Sequence, residues 1–300
     1  MDSVRILVGQ LIIMFLYMLV GWLLRKANLI TESTSKALSN LLLYVILPCV
    51  ILKSYLQADK ALWPELLVAI GLGALTLLIA IAIAHLMFRK DPIANFGAAF
   101  SNAGFMGIPL ISALLGQTAV FYISGMVALL NILQWTYGQA LLSKSREECS
   151  PRMILKNPLV VSFLLELIIF LTPISLPTKI ITIVDAFAAC NAPVAMVILG
   201  VLLGNVSLRE LCGDLNTWLV SGVRLLVIPV VTALIFSLFK SVSVEMKTAL
   251  LIAAADPIGS NLAEYVQKNN GDSSRAVGMI CLSTILSAVT MPLIMFLIAS

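Results

Sequence analysis

Long apolar runs alternate with short polar breaks along the whole chain, and the runs are as long as a bilayer crossing. A helix needs about twenty consecutive apolar residues to cross the hydrocarbon of a membrane. On that measure the sequence predicts ten spans. The first half gives 4–24, 34–55, 63–88, 93–114 and 118–142; the second gives 156–173, 178–204, 215–239, 246–267 and 273–298. Closed barrels read as short segments of alternating polarity, so the spanning elements are helices and the fold class is an all-α polytopic membrane protein. The longest charged stretch, Ser143 to Arg152, marks a cytoplasmic linker at 144–155 between a first unit at 1–143 and a second at 156–300.

Composition agrees with a lipid solvent. Of 300 residues, 60% are hydrophobic and only 11% are charged, with a mean hydropathy of +1.05. A water-soluble domain of this size cannot hide so much apolar surface. No cleavable leader is expected at Met1-Asp2-Ser3-Val4-Arg5, because the first run is of full length and ends at Arg25-Lys26 without a small-residue cleavage pattern. The cysteines at 49, 149, 190, 212 and 281 form no CxxC pair and no metal-like spacing, so they read as small hydrophobes and no metal is expected. A net charge of +4 without a basic stripe gives no reason to expect a nucleic-acid partner. The cations instead orient the chain. Twelve of the nineteen lysines and arginines lie on the face that carries the loops after odd-numbered spans, and six on the other. The positive-inside rule then places both termini outside the cytoplasm, in a multi-pass protein of the cell inner membrane.

The two halves resemble each other in order. Pro48 pairs with Pro193, Ala98-Ala99-Phe100-Ser101-Asn102 with Ala253-Ala254-Ala255-Asp256-Pro257, and Gly116-Gln117 with Gly271-Asp272, at offsets between 145 and 155 residues. Five spans per half is an odd number, so the repeats must be inverted in the membrane.

Two spans are interrupted at their centres. The fourth contains Ser101, Asn102, Gly104, Gly107 and Pro109, and the ninth contains Asp256, Pro257, Gly259, Ser260 and Asn261. Proline removes a donor and crowds the preceding turn, and glycine permits unwound backbone. Unwound backbone at membrane depth is tolerated where it lines a cavity or is buried in protein. Paired breaks at matching positions therefore mark these residues as the candidate substrate site. Half-helix N-termini favour an anion such as a carboxylate, and the carbonyl ends favour a cation such as Na⁺. The blander alternative is a pair of proline kinks packed by small residues.

Charges inside spans are expensive and need a reason. Asp256 is the candidate site for a coupling Na⁺ or H⁺, with Asn102 as a further candidate; Asn131 and Gln134 in span five lie close enough to the first break to help line it, with interhelical hydrogen bonding as their alternative, and no other cofactor is expected. The structural alternative for Asp256 is an N-cap with Pro257 at the first helical position. Glu166 and Arg224 lie within spans six and eight, and three readings stay open: an ion pair, two water-facing groups, or Arg224 as a carboxylate clamp. Asp185 and Glu264 read as solvated helix ends, with guarding an access path as the alternative, and His85 as interfacial.

The run Asn102-Ala103-Gly104-Phe105-Met106-Gly107-Ile108-Pro109-Leu110 resembles the N-x-G-F-x-G-[IL]-P-L signature of the auxin efflux carrier family, and Asp256-Pro257-Ile258-Gly259-Ser260-Asn261-Leu262-Ala263 looks like its second crossover. The resemblance covers the whole chain and implies ten helices in two inverted five-helix repeats. Helices 4 and 9 are then expected to cross at the midplane, as in bile-acid/sodium symporters, and a homodimer is the expected assembly. The long cytoplasmic loop of the plant exporters is missing, which fits the bacterial organic-acid branch. The implied function is a secondary carrier moving a small organic anion, a mono- or dicarboxylate of the malate or malonate kind, by alternating access with Na⁺ or H⁺ coupling. A potential-driven exporter of an auxin-like weak acid and a non-transporting sensor on the same fold are the alternatives. An enzyme is not expected. Asp185 and Asp256 lack a GxGD setting, no nucleophile motif flanks His85, and no GxxxxGK[ST] motif is present.

Overall fold

The apolar runs form helices in the computed structural model, which describes residues 2–143, 157–172, 176–207, 211 and 214–299. The linker at 144–155, with Cys149, and Cys212 lie outside the described residues. Among the described residues, seven helices are long and apolar enough to cross a membrane: Val4–Lys26, Ser33–Gln57, Lys60–Phe88, Gln117–Leu142, Thr178–Gly204, Leu215–Phe236 and Ser273–Phe296. They coincide with seven of the ten predicted spans. The run at 156–173 forms the shorter helix Pro158–Leu171, and those at 93–114 and 246–267 are each broken near the middle. Large apolar side chains point outward along whole helices: Ile6, Ile12, Leu16, Leu19 and Leu23 on the first, Leu164, Leu165, Ile168 and Leu171 on Pro158–Leu171. Such surfaces suit hydrocarbon and not water.

Proline dictates much of the local shape. Pro48, Pro109 and Pro229 each follow a π-helical turn, at Leu42–Ile46, Ala103–Gly107 and Val223–Val227. The residue four before each proline (Tyr44, Phe105 and Leu225) is the middle of its turn. A proline lacks the N–H that would bond that residue's carbonyl, and its ring crowds the same oxygen, so the helix widens there. Pro193 acts differently. The 178–204 span breaks at Cys190 and restarts as Asn191–Gly204, with Pro193 in the first turn, where no intrahelical donor is needed.

Glycine sets the close helix contacts. A β-carbon on Gly21 would overlap the Val197 carbonyl, and one on Gly200 would overlap the Met18 carbonyl, so Asp2–Lys26 and Asn191–Gly204 touch backbone to backbone at two reciprocal points. Trp63–Phe88 and Gln117–Leu133 also pack closely, with Gly73 receiving Met126 and Gly125 receiving the Ile70 side chain where a β-carbon would stand. In lipid, where burial of apolar surface gives no net drive, such close packing is a main source of helix association.

Polar contacts tie the ends of the helices. Asp91 caps Pro92–Ala99 by accepting from the Ala94 amide at 3.1 Å. It also binds the Arg275 guanidinium at 2.5 Å and the Asn216 amide at 2.9 Å. Arg275 reaches on to Asp214 at 3.6 Å. Burial alone would raise the Asp91 carboxyl, but the hydrogen bonds from Arg275, Ala94 and Asn216 and the charge of Arg275 hold it below the ordinary carboxylate range. Asp185, read as a solvated helix end, is 44% exposed and pairs with Lys53 at 3.0 Å.

Candidate functional site

The site is made where the two interrupted stretches meet. The first runs as Pro92–Ala99, turns extended at Phe100, and resumes after Asn102 through Ala103–Gly107 into Ile108–Leu115. The second runs as Val244–Ala255, turns extended at Asp256, and resumes as Asn261–Lys268. Each extended segment carries backbone groups that its own helix no longer satisfies, and the two segments satisfy each other. Ser101 and Ile258 form an antiparallel bridge, in which the Asn102 amide donates to the Pro257 carbonyl at 2.8 Å and the Gly259 amide donates to the Phe100 carbonyl at 3.0 Å. Pro257 needs no acceptor, and the Ile258 amide is taken by Ser283 Oγ at 3.1 Å. Glycine at 259 keeps the approach open, since a β-carbon there would stand 3.2 Å from the Ser101 carbonyl oxygen.

Side chains from both breaks gather around this bridge. Asn261 Nδ2 donates to Gln134 Oε1 at 2.9 Å, and Ser260 Oγ donates to Asn102 Oδ1 at 3.5 Å. Gln134 opens a π-helical turn, Gln134–Gly138, within the 117–142 span. Asn131, one turn earlier, donates to the Val127 carbonyl at 2.9 Å in its own helix. Gly107 receives the Asp256 carboxylate against its backbone, with no room for a β-carbon. Gly104 only meets Leu47 at ordinary contact distance, and Pro109 is buried at the start of Ile108–Leu115.

The buried charges are arranged differently from the sequence readings. Arg224 and Glu166 do not pair. Arg224, 1% exposed, donates through Nη1 to the carbonyls of Ala98 at 3.1 Å and Ala99 at 3.3 Å, and through Nη2 to that of Ala254. Its electrostatic partner is Asp256. Glu166 lies toward Cys49 and Tyr55 instead. The spacing along a single helix shows which face Arg224 occupies but not which neighbour covers that face. The N-cap reading of Asp256 is also corrected: Asp256 ends Val244–Ala255, and the next helix starts only after Ser260. Among the described residues, neither Asp256 carboxylate oxygen has a hydrogen-bond partner, nor do Ser101 Oγ, Asn102 Nδ2 and Arg224 Nε.

A cavity of about 650 Å³ reaches both interrupted stretches beside the bridge. Phe105, Asn131, Ser260 and Asn261 line it near the breaks, and Arg25, Lys36, Glu264 and Lys268 line it farther out. Arg25, Asn157, Asn205 and Lys268 in that lining all flank loops after odd-numbered spans. Trp135, Tyr44 and Tyr265 add aromatic surface that the sequence reading did not single out. The basic residues were visible in the sequence, but only as charges that orient the chain.

Comparison with known proteins fits this geometry. Residues 6–295 match the family described as Membrane transport protein. A protein of Methanothermobacter thermautotrophicus named "Uncharacterized transporter" is 28% identical over 290 residues, covering 92% of this chain and 93% of that protein. A protein of Rhizobium meliloti named "Putative malonate transporter" is 24% identical over 230 residues, covering 72% of this chain and 71% of that one. With the helical architecture and the family match running almost end to end, the chain belongs to the membrane transport protein family of the auxin efflux carriers and is a membrane transporter.

Proposed function

We propose that this transporter is an alternating-access carrier of a small organic anion, a mono- or dicarboxylate of the malonate or malate kind. The observation that carries the reading is the cavity of about 650 Å³ running from basic side chains to the paired breaks. That size falls within the roughly 300–1,000 Å³ of small-molecule sites. Arg25, Lys36 and Lys268 raise the local concentration of anions at its mouth. Beside Ser260, the second amide hydrogens of Asn261 and Asn131 then offer neutral donors, and the first turn of Asn261–Lys268 adds the positive end of a helix. Asn102, Gln134 and Gly259 fix the position of these groups. The malonate in the name of the Rhizobium relative is a dicarboxylate of this class.

The architecture proposed for this function is ten spans in two inverted halves, 1–143 and 156–300, with the broken fourth and ninth spans crossing near the midplane. By the distribution of lysine and arginine the termini lie outside the cytoplasm and the cavity opens inward. The bundle built around the crossing is then the part that moves against the remaining helices. Thermal stabilisation of the purified protein across a panel of acids tests the reading: malonate, malate, acetate and indole-3-acetate. A ligand that binds the folded state raises the melting temperature by mass action. At least one carboxylate is expected to do so in the wild type and not in Asn261→Ala. No shift with any acid would overturn the substrate class.

A further inference from the structure

Resting on the carrier reading above, we propose that Arg224 is a resident cation at the paired breaks, standing where a Na⁺-coupled carrier would hold its ion, so that this protein works without Na⁺. Each helix C-terminus carries roughly half a negative charge. Two of them, the ends of Pro92–Ala99 and Val244–Ala255, converge at one place, and together they call for about one monovalent cation. The guanidinium provides it. Its nitrogens donate to Ala98, Ala99 and Ala254, carbonyls in the last turns of both helices. Arginine stays charged in any protein setting and presents its donors in a rigid fork, which suits three converging carbonyls better than an ammonium does. The charge is also tethered. Arg224 sits in the π-helical turn Val223–Val227, buried from water, and cannot leave with each transport cycle as a bound ion would.

Several oxygens that could ligate a mobile ion already accept a hydrogen bond. A hard cation draws several oxygen ligands, yet Gln134 Oε1 accepts from Asn261, the Phe100 carbonyl from Gly259 and the Pro257 carbonyl from Asn102. Among the described residues, the two Asp256 oxygens and Ser101 Oγ remain without a hydrogen-bond partner, and Asp256 already faces the charge of Arg224. A second cation on Asp256 would meet like charge at short range in a medium that screens poorly.

The test is the melting temperature of the full-length purified protein, without substrate, titrated with NaCl against KCl and N-methylglucamine chloride at constant ionic strength. The wild type is expected to give the same curve in all three. A saturable rise specific to Na⁺ would overturn the proposal. Arg224→Ala is expected to melt roughly 5–10 °C lower, as loss of a buried charge partner implies, and to regain part of that with Na⁺ or guanidinium in a saturable way. An R224A protein that folds and answers to neither would overturn it too, since the position would then be no cation site. Should R224A fail to accumulate, Arg224→Gln is read in the same way and the wild-type titration decides alone. No organic acid enters the assay, so a wrong substrate class leaves its outcome unaffected.

Discussion

The Asp256 carboxylate lies directly on the backbone of Gly107, its Cγ 3.2 Å from where a β-carbon on that glycine would stand. This contact joins the second interrupted stretch to the first and holds Asp256 beside Arg224. Gly107→Ala must push the carboxylate aside, and forced overpacking costs about 1–3 kcal/mol. The variant is expected to melt lower and to lose acid-dependent stabilisation. Gly104→Ala is the control, because its β-carbon meets only Leu47 Cδ1 at 3.6 Å. Melting curves of both variants, with and without malonate, check this; equal behaviour would remove Gly107 from the site.

Helix association through glycine gives a second expectation. At Gly200 the obstacle to a β-carbon is the Met18 backbone, which cannot rotate away as a side chain can. Gly200→Ala therefore has to separate two helices and is expected to cost roughly 1–3 kcal/mol. Gly9, with nothing within 4 Å of its β-carbon position, is expected to accept alanine without loss. Thermal melting of the two variants side by side distinguishes them.

The Asp91–Arg275 pair sets a pH dependence. Its carboxyl is held below the ordinary range in the folded protein despite burial. Such a group adds stability that is fully present above the unfolded value, about 3.9, and is lost as pH falls through the folded one. Asp91→Asn should therefore melt below the wild type at pH 7, and the gap should close on acidification below about pH 4. A gap of constant size across that range would show that charge is not what Asp91 contributes.

Gln134 orients Asn261 through a 2.9 Å hydrogen bond. Gln134→Ala leaves the Asn261 amide unheld without touching the backbone bridge at Ser101 and Ile258. Apparent affinity for the transported acid is expected to fall about tenfold, the effect of about 1.4 kcal/mol, while the melting temperature without ligand stays near the wild type. A ligand titration by melting temperature reads both.

The breaks were legible in the sequence because their cause is local. Pro109, Gly104 and Gly107 in one stretch, and Pro257 and Gly259 in the other, disfavour a regular helix wherever they stand. Their backbone pairing was not legible, since which segment satisfies the freed amide of Asn102 is a tertiary fact. Arg224 shows the limit most clearly. As a charge within an apolar run it announced a buried partner, and Glu166 was the obvious acid, yet the partners are carbonyls some 125 and 30 residues away in sequence. A backbone carbonyl leaves no trace in residue identity. The cap reading of Asp256 failed for a related reason: Asp-Pro starts a helix only if the chain turns helical at once, and here Ile258 and Gly259 stay extended to reach Ser283 and Phe100.

The central claim is that an organic anion crosses the membrane through the paired breaks. The most direct measurement is uptake of radiolabelled malonate and malate into proteoliposomes of the purified protein, driven by an imposed interior-positive potential. Saturable uptake is predicted for the wild type, with loss of most of it in Asn261→Ala at equal incorporation. Uptake no greater than that of empty liposomes, or an Asn261→Ala protein as active as the wild type, would contradict the account.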